Sequence, residues 1–227
     1  MLFVLVHSPL VGPATWQPVA RELAARGYAA VVPSLLHVGD GEPPAWPRVA
    51  AAVAGVLAED RPLVLVAHSN AGAFLPVIRA AVRRPVAASV FVDARLPARE
   101  GAMILAEGEF LDFLKGMVRP DGRLPRWTDW WPGEDVASLF PDDSTRRAVV
   151  DEQPRLPLSY FEQPIPVPAG WADHPCGYLL FGPPYERMAD EARARGWPVV
   201  HIPGEHLHQL VDPPAVAEAL ISFATNS

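Results

Sequence analysis

The sequence predicts a three-layer α/β fold built on a parallel sheet of about six strands. Short apolar runs of strand length alternate with segments of helical periodicity, which is the order expected of repeated βα units. The apolar runs are nearly continuous, and this suits strands that helices cover on both faces. The chain has 227 residues, of which 50% are hydrophobic and 20% charged. This length and composition are sufficient for one domain with a large core.

Six apolar runs are predicted to form the strands of this sheet, at residues 2–6, 29–32, 63–67, 87–92, 178–181 and 199–202. Segments of helical periodicity are predicted to form helices at residues 15–26, 45–58, 71–83, 186–195 and 214–224. Gly27 and Gly196 each follow one of these helices, at the position where glycine commonly ends a helix.

The regular alternation of strands and helices stops after Asp93 and resumes near Gly177. We therefore predict that residues 1–94 and 176–227 form the core. Residues 95–175 are predicted to form a cap, inserted over one end of the sheet and containing one or more short helices.

Charge and cysteine content limit the classes of partner. The net charge is −7 and the isoelectric point is near 5.5, which argues against a nucleic-acid partner because phosphate binding needs a concentrated basic face. The apolar run at residues 2–6 is too short to span a bilayer and lacks the flanks of a secretory signal. Cys176 is the single cysteine, which excludes an internal disulfide and suits a reducing compartment. We therefore expect a cytoplasmic protein with no membrane or nucleic-acid partner.

The most informative segment is residues 63–72, where a buried strand runs into a serine and a helical pattern follows at once. This order is typical of a nucleophile elbow, in which a strained turn exposes the serine hydroxyl. The residues two before and two after Ser69 must be small, and Ala67 and Ala71 meet that demand. The backbone amide of Asn70 would then donate to a developing oxyanion. A serine that only caps the helix is the alternative.

A second segment, after the last predicted strand, has glycine at Gly204 and histidine at His206. Asp212 and Pro213 then lead into the final helix. These residues resemble the α/β-hydrolase family, in which the catalytic histidine lies in a Gly-x-His turn and precedes such an Asp-Pro by a few residues. The resemblance implies that His206 is the catalytic base. His208 is the alternative, and its position two residues further on suits support of the loop.

The resemblance extends over essentially the whole chain, and it implies an oxyanion loop after the first strand. His7 and Ser8 stand where the family has His-Gly. The next residue, which usually gives the second oxyanion amide, is here Pro9 and has no N–H. The second donor is therefore predicted to be the Leu10 amide or the Ser8 hydroxyl.

Two carboxylates compete for the third catalytic role. Most family members place the acid after the next-to-last strand, where this chain has Tyr185 followed by Glu186. Asp93, at the end of the fourth predicted strand, occupies the position of the acid in the haloalkane dehalogenases, which are similar in fold but use an aspartate nucleophile. We favour Asp93 over Glu186.

These residues together predict a serine hydrolase that cleaves an ester, thioester or lactone through an acyl-enzyme. The substrate is expected to be a medium-sized, largely apolar small molecule, because the cap is rich in aromatic residues. Trp127 and Trp131, with Trp130 between them, either line the binding pocket or pack the cap onto the core.

No cofactor is implied, and no metal site is predicted, because no cluster of possible ligands accompanies His206 and His208. Two alternatives remain for function. One is a lyase or cyclase on the same scaffold, similar to the plant hydroxynitrile lyases, which Pro9 favours. The other is a ligand-binding protein without activity.

Overall fold

The computed structural model describes residues 1–57 and 60–225. The described residues form eight strands: β1 (Leu2–Val6), β2 (Ala29–Val31), β3 (Leu63–Ser69), β4 (Val86–Ala94), β5 (Gly101–Met103), β6 (Ile165–Val167), β7 (Cys176–Leu180) and β8 (Val199–His201). Six of these strands pair in parallel in the order β2-β1-β3-β4-β7-β8. The predicted fold class, with its parallel sheet of about six strands, is confirmed.

The same residues form ten α-helices: α1 (Gln17–Ala25), α2 (Trp46–Gly55), α3 (Leu75–Ala81), α4 (Gly108–Met117), α5 (Gly133–Ala137), α6 (Asp143–Glu152), α7 (Ser159–Glu162), α8 (Glu186–Ala194), α9 (His208–Val211) and α10 (Pro213–Thr225). Within the described ranges, no helix is long and apolar enough to cross a membrane.

Helices cover both faces of the parallel sheet. Successive side chains of a strand point to opposite faces, so each layer of helices buries alternate residues of the strands. On one face, α1 and α10 cover the buried side chains of Phe3, Leu5, Val64 and Val66. On the other face, α2, α3 and α8 cover those of Leu2, Val4, Leu63 and Leu65. The strands are thus apolar along their whole length, as is typical of a sheet with two covered faces.

The segment between β4 and β7 contains two short strands and four short α-helices. Strands β5 and β6 pair antiparallel in a two-stranded sheet, and α4 to α7 lie between them in sequence. The buried rings of Tyr160 and Phe161 join this segment to the core, where Tyr160 lies 6.0 Å from Phe74 between ring centroids. The assignment of residues 95–175 as a cap stays a prediction.

The helix predicted at residues 71–83 is the largest departure from the expected bounds. It begins as a 3₁₀ helix at Asn70–Phe74 and becomes α-helical only at α3. Pro76 lies in the first turn of α3, where its missing N–H leaves no hydrogen bond unmade. The helix ends early because Val82 takes an extended conformation, with ψ of 118°.

The other helices differ from prediction mainly at their ends. A short 3₁₀ helix, Pro13–Thr15, precedes α1 in place of its predicted first turn. Helix α2 ends at residue 55. The predicted end of that helix, residue 58, lies outside the described residues.

Candidate active site

Ser69 occupies a strained turn between β3 and the 3₁₀ helix that follows. Its φ is 58° and its ψ is −130°, a backbone conformation that costs free energy for any residue with a side chain. Ala67 and Ala71 are fully buried on either side of the turn. A Cβ atom at Gly72 would lie only 2.2 Å from the carbonyl oxygen of Arg95. Small residues are therefore needed on both sides of Ser69, as the sequence predicts for a nucleophile elbow.

His206 lies in the loop between β8 and α9, with its Nε2 atom 3.0 Å from Ser69 Oγ. The adjoining residue of the elbow, His68, supports this loop, since its Nε2–H donates to the His206 carbonyl oxygen at 2.9 Å. Burial lowers the pKa of His68 well below its usual range, so its ring stays neutral. The base is thus held by the same strand that carries the nucleophile.

His208 is the first residue of α9, and its ring packs against Phe181. Its ring centroid is 5.5 Å from that of Phe181. A Cβ atom at Gly204 would meet the His208 ring at 2.2 Å, so the two residues are in close contact. The structure therefore brings His206, and not His208, within hydrogen-bond distance of Ser69.

Asp93 completes a chain of hydrogen bonds that begins at the serine. Its Oδ2 atom lies 2.6 Å from Nδ1 of His206. Its Oδ1 atom accepts a hydrogen bond from the backbone amide of Phe181 at 3.0 Å. The carboxylate is fully buried, and these donors compensate for its loss of water. Glu186 is instead exposed at the start of α8, and no hydrogen bond joins it to His206.

A β-bulge at the end of β4 aims Asp93 at the histidine. His68 of β3 pairs with Val92 and Ser69 pairs with Ala94, so Asp93 is the extra residue, and its φ is 42°. Such bulges redirect a side chain at the end of a strand. The Tyr178 hydroxyl fixes the bulge, because it donates to the Ala94 carbonyl oxygen and accepts from the Ala94 amide, each at 2.9 Å.

The hydrogen bonds determine which ring nitrogen of His206 carries the proton. The Asp93 carboxylate can only accept, so Nδ1–H of His206 donates to it. In the neutral ring Nε2 is then an acceptor, and the Ser69 hydroxyl donates to it. This is the tautomer that a general base requires to remove a proton from serine.

The predicted oxyanion donors differ in their placement. Asn70 begins the 3₁₀ helix after Ser69, and the first N–H groups of a helix have no partner within it. Leu10 lines the same cavity as Ser69 and Asn70. Its amide N–H donates to the Ser8 hydroxyl oxygen at 3.3 Å, so this donor already has an acceptor within the loop. Ser8 is buried and does not line the cavity, so its hydroxyl contacts Leu10 and not a bound substrate.

A cavity of about 860 Å³ opens above Ser69 and His206. Its lining includes the aromatic residues Phe110, Trp127, Trp130, Trp131 and Tyr185 and the aliphatic residues Leu96, Met103, Val136, Leu139 and Met188. Charged side chains that line it are Arg95, Asp135, Arg187, Glu191 and Glu205.

Two of the three tryptophans of the cluster lie at the cavity with exposed or reactive-site contacts, and the third mainly packs inside the protein. Trp127 lies 6.1 Å from His206 between ring centroids, beside the reacting groups. Trp131 lines the cavity with 44% of its surface exposed. Trp130 is nearly buried and its Nε1–H donates to the Pro125 carbonyl oxygen, so its main contacts are internal. Both uses left open by the sequence are therefore found.

Tyr185 is a site residue that the sequence alone did not identify as such. Its hydroxyl lies 3.3 Å from Ser69 Oγ, and its ring is stacked on the His206 ring with centroids 4.9 Å apart. Its position after β7, where relatives were expected to carry the acid, was the signal that could have found it. In the described part of the chain, no three His, Cys, Asp or Glu side chains form a group that could hold a metal ion.

Solved structures of similar fold include several α/β-hydrolases and esterases. An extracellular α/β-hydrolase from a Paenibacillus species, described as sharing structural and functional homology with tobacco salicylic acid binding protein 2, matches with a TM-score of 0.77. It is 16% identical, and the match covers 98% of each chain. A pyrethroid hydrolase from Sphingobium faniae JZ-2 matches with a TM-score of 0.65 at 19% identity, over 99% of this chain and 97% of its own.

A methylesterase from Arabidopsis matches with a TM-score of 0.61 at 14% identity, over 100% of each chain. At these identities the likeness shows the fold alone. No curated protein matches the sequence at a significant level. The sequence model of the alpha/beta hydrolase family matches residues 3–219. Because this match spans nearly the whole chain, the protein belongs to the alpha/beta hydrolase family.

Proposed function

We propose that the protein is a serine hydrolase that cleaves a carboxylic ester, thioester or lactone through an acyl-enzyme. The observation that carries this proposal is the continuous chain of hydrogen bonds from Ser69 through His206 to Asp93, at 3.0 Å and 2.6 Å. The strained backbone of Ser69 adds support, because strain of this kind is found where a functional group must be held in place.

Each residue has one role in the proposed reaction. Ser69 attacks the carbonyl carbon while His206 takes its proton at Nε2. Asp93 holds the imidazole in the required tautomer and stabilises the imidazolium that forms. The negative oxygen of the tetrahedral intermediate accepts a hydrogen bond from the Asn70 amide, and the Leu10 amide becomes the second donor when it turns from the Ser8 hydroxyl to this oxygen. The imidazolium then returns its proton to the leaving oxygen, the bond between carbon and that oxygen breaks, and an acyl-serine remains.

Water then hydrolyses the acyl-serine, with His206 again acting first as base and then as acid. His206 takes a proton from a water molecule, the resulting hydroxide attacks the acyl carbon, and Ser69 leaves with the proton from His206. An ester or thioester suits this site better than an amide, because an alkoxide or thiolate leaves more easily than an amide nitrogen. All of these steps use groups of the protein and water.

The cavity supports a medium-sized substrate that is largely apolar. Its volume of about 860 Å³ falls in the range of small-molecule sites, and aromatic and aliphatic side chains make up much of its lining. Solved structures of similar fold are described as a pyrethroid hydrolase, a polyneuridine aldehyde esterase and a methylesterase. These names support an ester as substrate without identifying it.

The test is hydrolysis of a series of p-nitrophenyl esters with acyl chains of increasing length, by the wild type and by Ser69→Ala. The wild type is expected to hydrolyse medium-length esters faster than the acetate. Ser69→Ala is expected to lower kcat by several orders of magnitude, since loss of a nucleophilic serine costs about 10⁶ in related chemistry. A Ser69→Ala variant that retains the wild-type rate would contradict the proposal.

A lyase is the second candidate, because Pro9 removes one amide that usually stabilises an oxyanion. Proton transfer between Ser69 and His206 needs no acyl-enzyme, so a lyase would tolerate a weaker oxyanion site. Turnover of any ester with release of the carboxylic acid would favour the hydrolase. A protein whose Ser69 reacts with a fluorophosphonate but which cleaves no ester would favour the lyase or the ligand-binding protein without activity.

A further inference from the structure

Tyr185 reaches the reacting serine from the loop that follows β7. Its hydroxyl oxygen lies 3.3 Å from Ser69 Oγ. Its ring lies parallel to the His206 ring, with an interplanar angle of 8° and centroids 4.9 Å apart. It also lines the cavity that holds both residues. A phenol that touches the nucleophile and covers the base is therefore part of the surface that a substrate meets.

The direction of this hydrogen bond follows from the tautomer of His206. The Ser69 hydroxyl donates its one proton to Nε2 of His206, which leaves Oγ as an acceptor. The Tyr185 hydroxyl is therefore the donor to Oγ. Burial raises the pKa of Tyr185 to about 12, so this donor keeps its proton throughout the pH range of an ordinary assay.

The order of the strands shows from which side Tyr185 approaches. Leu10 follows β1, Ser69 ends β3 and Tyr185 follows β7, and the order in the sheet is β1-β3-β4-β7. The Leu10 loop and the Tyr185 loop thus reach the serine from opposite sides. An oxyanion bound between Asn70 and Leu10 lies on the β1 side. Tyr185 lies on the other side, stacked on the ring of His206, which must give the leaving oxygen its proton.

We propose that the Tyr185 hydroxyl donates a hydrogen bond to the leaving-group oxygen as the tetrahedral intermediate collapses. This inference rests on the proposed ester hydrolysis. Once Ser69 Oγ is bonded to the acyl carbon it becomes a weaker acceptor, and the phenol turns to the leaving oxygen, on which negative charge develops. The bond between the carbon and the leaving oxygen breaks, and His206 supplies the proton. Tyr185 keeps its own proton and stabilises the charge until that transfer is complete.

The dependence on the leaving group gives a direct test with Tyr185→Phe. This variant keeps the ring that stacks on His206 and removes only the hydroxyl. For an alkyl ester such as ethyl butyrate, whose alkoxide is a poor leaving group, kcat/KM is expected to fall by about 10²-fold, the lower end for loss of one hydrogen-bond donor to a developing charge. For p-nitrophenyl butyrate, whose leaving group is far more acidic, the expected loss is less than about threefold.

The value of kcat/KM is the right quantity, because it reports acylation and excludes the later attack of water on the acyl-enzyme. Tyr28→Phe is the matched control, since it removes a phenol whose ring packs on Phe3 far from the cavity. We expect this control to hydrolyse both esters at the wild-type rate.

Two outcomes would overturn the inference. Equal losses for the two esters would show that Tyr185 only positions Ser69 or stabilises the oxyanion, and no loss for either ester would show that its hydroxyl takes no part. Failure of the proposed ester hydrolysis would give a result distinct from either of these outcomes. In that case the wild type would hydrolyse neither ester, and the inference would fall with it.

Discussion

The Oδ2 atom of Asp93 lies 2.6 Å from Nδ1 of His206, although the two residues are 113 positions apart. The bulge between β3 and β4 makes this contact, since it turns Asp93 out of the strand pairing and toward the loop that carries His206. The neighbouring strand β7 helps to hold the carboxylate in place, because the amide of Phe181, just after β7, donates to its other oxygen. The orientation of the base therefore depends on the order of the strands in the sheet.

Asp93→Asn is expected to lower kcat by about 10⁴-fold, the loss seen when the acid of such a triad becomes an amide. The Asn oxygen can still accept from the Phe181 amide, which leaves its NH₂ group facing Nδ1 of His206. The imidazole would then carry its proton on Nε2 and could not accept from Ser69. Steady-state hydrolysis of a p-nitrophenyl ester measures the loss, and circular dichroism checks that the fold is kept.

Glu186→Gln is the matched control, because Glu186 was the competing acid and is exposed at the start of α8. Its kcat is expected to stay within about twofold of the wild type, since its exposed side chain does not line the cavity. An active Asp93→Asn together with an inactive Glu186→Gln would reverse the assignment.

Trp131→Ala is expected to impair long substrates and spare short ones. Trp131 lines the cavity, is 44% exposed, and stacks on Phe113 with ring centroids 5.6 Å apart. Removing about 50 Å² of apolar contact with a substrate would cost about 1 kcal/mol, or about fivefold in kcat/KM. We expect this loss for p-nitrophenyl octanoate and none for the acetate.

Val56→Ala provides the comparison for Trp131→Ala, because Val56 is also an exposed apolar residue, 43% accessible, but lies outside the cavity. Val56→Ala is expected to leave kcat/KM unchanged for both the octanoate and the acetate ester. Equal losses of Trp131→Ala on both esters would mean that the tryptophan holds the site together and does not bind the substrate.

The stability of the fold is expected to fall as the pH drops from about 6.5 to about 4. His7 is buried as a neutral ring, whose Nδ1–H donates to the Ser8 carbonyl oxygen at 2.7 Å and whose Nε2 accepts from the Leu35 amide at 3.0 Å. Burial lowers the pKa of His7 from 6.5 to about 4. Over this interval the unfolded chain binds a proton and the folded chain does not, so acid favours unfolding.

A pKa difference of this size corresponds to about 3 kcal/mol of unfolding free energy, since each pH unit contributes about 1.4 kcal/mol. Urea unfolding at about pH 7 and about pH 4 measures the change. His7→Gln lacks the titrating group, so its stability is expected to fall by about 3 kcal/mol less over the same interval. An identical loss in both proteins would mean that His7 does not contribute to the pH dependence.

The strands of the parallel sheet could be predicted from the sequence because each is an apolar run that both helix layers bury. Their ends were less predictable. The strand expected at residues 87–92 is β4, which runs on to Ala94 past the bulge at Asp93. Its neighbour β7 begins at Cys176, two residues before the predicted start. Strand ends depend on pairing with neighbours, and the pairing is decided by the whole sheet.

The candidate site also contains some residues that the sequence could predict and others that it could not. Ser69 and His206 stand in short local patterns, so their neighbours in sequence were enough to select them. The choice between Asp93 and Glu186 stayed open because it depends on which strand lies beside β7. The contact between Tyr185 and Ser69 joins two loops that are distant in sequence. The position of Tyr185 after β7 could have made it a candidate, but its contact with the serine could not be predicted, because no local pattern determines where a loop places a phenol.

The most direct test of the central claim, that Ser69 is an activated nucleophile, is reaction with a fluorophosphonate followed by intact mass and peptide mapping. We predict that the wild type gains one phosphonyl group on Ser69 as fluoride leaves, and that Ser69→Ala gains none. Because activation depends on His206, His206→Ala is expected to react much more slowly. An unlabelled wild type, or a label on any residue other than Ser69, would contradict the account.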